Sequence, residues 1–222
     1  MRILTESEYQ IEAEPQLRQI FAHDNPFAKP FVPDVPEKLI LSPYKYIIEP
    51  PLTNALVAAA LELGETGCYF SILWRWRYPQ AKEAEEPSHW YIPLTEFHQA
   101  YVGSENYPPL IASEFPFFQM REGAIYSSRG TWGIIVTHEW FGLLGGTSKF
   151  FEIIRSQMPH IDEQVFEFLK HIKSGQENSS RGTTLEWVRP LLTHIYGQKT
   201  VNQLLLKSGL ARSKKKGIKF LI

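Results

Sequence analysis

Hydrophobic and polar positions alternate most regularly between Cys68 and Tyr78. Cys68, Phe70, Ile72, Trp74, Trp76 and Tyr78 fall on one face of a period-two strand. Tyr69, Ser71, Leu73, Arg75 and Arg77 fall on the other. The run is long for a strand, which places it centrally in a sheet. Pro79 ends it, an acidic loop from Glu83 to Glu86 follows, and Trp90 to Ile92 returns as an antiparallel partner. A second sheet signal is a meander over 124–144. Ala124 to Ser127 is β-prone, Ser128-Arg129-Gly130 is a turn, and Thr131 to His138 is β-branched and apolar. Glu139-Trp140 turns the chain again into Phe141 to Leu144. Within the middle strand Trp132, Ile134 and Val136 share one face; Thr131, Gly133, Ile135 and Thr137 share the other.

The period then changes to that of a helix. Gly145-Gly146 closes the meander, Thr147 or Ser148 caps, and Phe150, Phe151, Ile153 and Ile154 form an apolar stripe. Pro159 stops this helix. Asp162 opens another whose buried side is Val165, Phe166, Phe168, Leu169 and Ile172. Upstream, Thr53 is expected to cap an Ala-rich helix that Gly64 ends, and Thr95 a short one through Tyr101. Residues 5–22 are weakly helical from a Thr5 or Ser7 cap and should be split by Pro15. The predicted fold class is α+β: an antiparallel sheet built on the strand 68–78 and the meander 124–144, with helices over one face.

Residues 25–51 carry seven prolines, so they read as an extended arm; its Phe, Tyr and Ile residues imply that it packs on the body. The polar stretch 174–183 reads as a linker between a body, 1–173, and a helical extension, 184–222. In that extension Pro190 predicts a break, and Thr200 a cap for Val201 to Ser208.

Composition adds little to this picture: 222 residues, 43% hydrophobic and 21% charged, are ordinary for a globular chain. The single cysteine, Cys68, allows no internal disulfide and fits a reducing compartment, so cytoplasmic residence is expected. No apolar run is long enough to predict a membrane span. The net charge of −1 hides an asymmetry. After Glu186 the chain has eight basic residues and no acidic one, whereas the preceding part has 15 basic and 24 acidic residues. Charge of this distribution suits either docking of the end on the body or contact with nucleic acid.

Candidate chemistry is sparse. There is no cofactor fingerprint, and the seven histidines lack the spacing of a metal site. Gly142 to Ser148 before a helix suggests a phosphate turn but matches neither phosphate-binding fingerprint, so it reads as a turn that needs small residues. His138-Glu139-Trp140, at a hairpin end, is a candidate binding site, and one of the first two is a candidate general base. Arg75 and Arg77 on one strand face suit an anion or a base platform, or pair with the acidic loop. Lys214, Lys215 and Lys216 suit phosphates. Cys68, on an apolar face, is expected to be a small core residue rather than a nucleophile.

The order of helices, meander and covering helices is similar to the layout of α+β immunity and scaffold proteins, a likeness that implies a fold and carries no matched residue. The sequence favours a non-catalytic macromolecule-binding protein, with toxin neutralisation or regulation as the expected roles and another protein as the expected partner. A nucleic-acid-associated protein using the basic end, and a hydrolase with a site near His138 and Cys68, are the alternatives.

Overall fold

The structure, a computed structural model, describes residues 1–42, 50–75, 87–102, 121–139, 141–178, 186–214 and 217–220. Its centre is a seven-stranded antiparallel sheet. The strands are β1 (Arg2–Ile3), β2 (Glu37–Leu41), β3 (Gly67–Arg75), β4 (His89–Pro93), β5 (Arg121–Ser127), β6 (Trp132–Val136) and β7 (Gly142–Gly146), arranged β1-β4-β3-β5-β6-β7-β2. The long strand and the meander are therefore neighbours, with Cys68 opposite Ser127 and Gly123 opposite Val136.

Helices cover both faces of this sheet, not one. On the first face Phe70, Ile72, Ile125, Trp132, Ile134 and Leu144 pack beneath α3 (Pro50–Glu62), α4 (Phe97–Val102) and α5 (Ser148–Gln157). On the second, Tyr69, Ala124, Tyr126, Ile135 and Leu143 pack beneath the N-terminal helical run, α6 (Gln164–Asn178) and α7 (Val188–Lys207). Every residue of β6 and β7 is buried, the condition of strands sandwiched between two apolar layers.

Glycines make the second layer possible. Gly145 and Gly146 lie inside β7 and not in a turn after it, and Gly145 pairs with Gly133 of β6. The stacked rings of Phe21 and Phe31 lie over this pair. A Cβ on Gly133 would come within 2.8 Å of Phe21, and one on Gly145 would overlap Phe31. Thr147 caps α5 by accepting from the Phe150 amide.

Other local expectations shift for identifiable reasons. The N-terminal run is α1 (Glu6–Glu8), a π-helical segment Tyr9–Ala13, and α2 (Glu14–Leu17). Thr5 and Glu8 form a capping box at its start, and the widened turn accommodates Pro15, which cannot donate a backbone hydrogen bond. Pro50 and Pro51 open α3, so Thr53 sits inside the first turn instead of capping it. The polar stretch 174–178 continues α6, and Pro190, in the first turn of α7, causes no break. The break falls at Gly197 (φ 75°, ψ 154°), a backbone region that only glycine occupies readily. Beyond α7 the basic end contains a β-hairpin, β8 (Ala211–Lys214) and β9 (Gly217–Phe220).

The outer edge of the sheet is closed by side chains. In β2 the Ile40 amide donates to the Tyr196 hydroxyl at 3.0 Å, and just beyond it the Ser42 amide donates to Gln164. Such capping removes a template for pairing with a foreign strand.

Candidate functional site

Three neighbouring strands end together around His138. A bulge between Ile72 and Trp74 lets two residues of β3 oppose one of β5, so Trp74 pairs with Glu122. The shift removes Trp74 from the face of Cys68, Phe70 and Ile72. Phe70, Ile72, Trp132, Ile134, Val136 and Phe150 share one core, but Trp74, which its period-two position placed on the face of Phe70 and Ile72, is 40% exposed. The turn after β6 is fixed by Thr137, whose amide and hydroxyl both donate to the Phe141 carbonyl at 3.0 Å, while its Oγ1 accepts from the Glu139 amide. That turn holds the His138 ring over Glu122.

Glu122 is only 5% exposed. Its Oε1 lies 2.6 Å from His138 Nδ1, and His138 Nε2 lies 3.4 Å from Glu139 Oε1. An ionised carboxylate only accepts, so with Glu122 ionised Nδ1 carries the hydrogen toward it, and Nε2 faces the exposed Glu139. Burial holds the Glu122 carboxyl above its ordinary range, partly offset by the bond and charge of His138. Aromatic rings frame the imidazole: Trp74 stacks at 5.6 Å between centroids, and Phe27 meets its edge at 5.9 Å. Phe27 also contacts Phe141 and Trp187, which ties the proline-rich arm and the start of α7 to this corner.

The arrangement gathers His138 and Glu139, as their adjacency requires, and adds Glu122, Trp74 and Phe27, none of which was singled out as a partner from sequence. The signal for Glu122 is a carboxylate at an inward position of β5, two residues before Ala124. That reading needs the register of the sheet. The backbone of Arg75 ends β3 opposite Arg121, next to this corner. The Arg75 side chain, Arg77 and Trp140 lie outside the described residues. Lys214 closes β8, and Lys215 and Lys216 also lie outside the described residues.

The sheet separates Cys68 from His138. Cys68 pairs with Ser127 and Trp74 with Glu122, five positions apart along β5, or about 17 Å at strand rise. Cys68 is fully buried, and burial pushes its thiol pKa well up, the opposite of an activated nucleophile. A second polar cluster, on the helical face nearest the N-terminus, links His89 Nδ1 to Ser71 Oγ at 2.9 Å and Ser71 Oγ to Tyr126 OH at 2.8 Å. Ser71 and Tyr126 are wholly buried, so this chain satisfies polar groups inside a core and offers no reactant an approach.

Among the described residues no group of three His, Cys, Asp or Glu side chains is placed to hold a metal ion, and no helix is long and apolar enough to cross a membrane. No family model, curated protein or solved structure matches this chain.

Proposed function

We propose that this protein is a non-catalytic binding protein that engages another protein at the sheet end around Trp74, His138 and Glu139, in a cytoplasmic setting and in a toxin-neutralising or regulatory role. The observation that carries this reading is the half-open Trp74 ring, stacked against His138, which is itself seated on the buried carboxylate of Glu122. A partly exposed tryptophan fixed in one orientation loses little conformational entropy on binding, and tryptophan is the side chain most often found at energetic centres of interfaces. Glu139, beside it and exposed, supplies a charge at the rim.

Two other readings have support of their own. The histidine–carboxylate pair has the geometry of an oriented general base, which favours hydrolysis. A nucleophile for it is not found at Cys68, for the reasons of distance and burial above. The eight basic residues after Glu186, with no acidic one among them, favour nucleic acid.

The test is affinity capture from the native host with the wild-type chain and with Trp74→Ala and His138→Ala, each repeated after nuclease digestion. Partner protein retained by wild type in both samples and lost from the Trp74 variant, with its melting temperature kept near wild type, supports the proposal. Equal capture by all three chains sinks the assignment of the site, and loss of all capture after nuclease moves the nucleic-acid reading to first place.

A further inference from the structure

A groove of about 550 Å³ lies where the first turn of α3 meets the junction of α5 and α6. Its walls are Pro51, the link from Gln157 to Ile161, and the start of α6 around Glu163, Phe166 and Glu167. It shares no residue with the His138 corner and is independent of it. We propose that this groove binds a peptide segment of a partner protein in which a large apolar side chain is flanked by lysine or arginine.

The apolar part comes first. By helical spacing Phe166 belongs to the buried side of α6, yet it is 38% exposed, whereas Val165, Phe168, Leu169 and Ile172 are buried. A phenylalanine that the core does not take up keeps apolar area in water, and the exposed Pro51 and Pro159 extend the same surface. Met158 is half-buried and packs on the core from the groove side, and its unbranched side chain adapts to anchors of different shape. Pro51 and Pro159 have no N–H, so at these two positions the backbone offers an acceptor and no donor.

The charged rim has one sign. Glu163 and Glu167 line the groove, and no lysine or arginine does. The two glutamates stand one helical turn apart, a spacing at which like charges oppose each other. His160 approaches Glu163 and Lys170 approaches Glu167, each at 3.4 Å, but the carboxylate side chains remain 70% and 58% accessible. Exposed pairs of that kind contribute little, so a cation from a partner can take their place. The complementary segment therefore carries positive charge beside an apolar anchor. A groove of this size receives the side chains of a short segment, as other peptide-recognition grooves do.

Fluorescence anisotropy of a labelled peptide, Lys-Lys-Leu-Phe-Lys-Lys, titrated with the full chain at physiological salt tests the proposal. Saturable one-site binding tighter than about 1 mM is expected. Replacing the Leu-Phe pair by Gly-Ser, or all four lysines by glutamates, should weaken binding at least about ten-fold. In the protein, Phe166→Asp should weaken it at least about ten-fold, and the double variant Glu163→Gln/Glu167→Gln at least about three-fold. All three side chains are exposed, and the double variant decides the matter if Phe166→Asp is unstable. The ring signals of His160, which lines the groove, should shift on titration while those of His194, which lines a different cleft, stay in place. Absence of saturable binding by wild type, unchanged affinity in the double variant, or equal binding of the glutamate peptide overturns the proposal. So does dimerisation of the wild type that Phe166→Asp abolishes, which assigns the groove to a second copy of the chain.

Discussion

Removing the His138 ring isolates the cost of the Glu122 carboxylate. In the folded chain burial raises the pKa of Glu122 and His138 brings it partly back. A raised carboxyl pKa means that the folded state holds the proton more tightly than the unfolded one. The stability it contributes is therefore fully present below the ordinary carboxyl range and is lost as pH rises through the raised value. His138→Ala deletes the opposing interactions, so the raised value moves higher and the loss at neutral pH grows. Stranding a buried hydrogen-bonding group costs about 1–3 kcal/mol, and stranding a fully buried charge about 3–5 kcal/mol. Glu122 lies at the end of the sheet under a ring that is 29% exposed, so removing that ring admits water to the carboxylate and the lower range applies. Adding about 1 kcal/mol for lost ring contacts with Trp74 and Phe27, we expect His138→Ala to cost about 2–4 kcal/mol at pH 8 and about 1 kcal/mol at pH 4. The charge-neutral double variant Glu122→Gln/His138→Ala should recover about 1–2 kcal/mol of the pH 8 loss. Urea unfolding of wild type and the two variants at both pH values measures these differences. A cost for His138→Ala that is equal at pH 4 and pH 8, or no recovery in the double variant, would refute the coupling.

Trp74→Ala should cost only about 1–2 kcal/mol by thermal or urea unfolding, well below the roughly 3–5 kcal/mol of a buried tryptophan, because much of the ring is in water. Phe150→Ala, which removes a wholly buried ring stacked on Trp132, should cost about 3–5 kcal/mol in the same assay. Cys68 should resist alkylation in the native protein at pH 8 and react fully in denaturant, with labelling followed by mass. Gly197→Ala should destabilise by about 1–3 kcal/mol through backbone strain alone, since no atom lies within 4 Å of the added methyl; an unchanged melting temperature would mean that the kink is not fixed there.

Period-two and helical spacing determined a large part of this protein. They carried the antiparallel strands, the facing of Phe70 with Ile72 and of Trp132 with Ile134 and Val136, the apolar stripe of α5 and its cap at Thr147. These features are legible because each depends on neighbours within a few residues, where backbone geometry fixes the side-chain direction. Three others were decided by the tertiary structure. Trp74 left the core because a single inserted residue reverses every later position of a strand, and nothing near Leu73 marks the bulge. The second helical layer emerged only when strands far apart in sequence set Tyr69, Tyr126, Ile135 and Leu143 side by side. Gly145, which reads as the end of the meander, and Gly133, which reads as one strand position among others, became the floor for Phe21 and Phe31 once β6 and β7 were paired. The His138 corner follows the same rule. His138 and Glu122 come from separate strands, and their chemistry arises from proximity that only long-range packing creates.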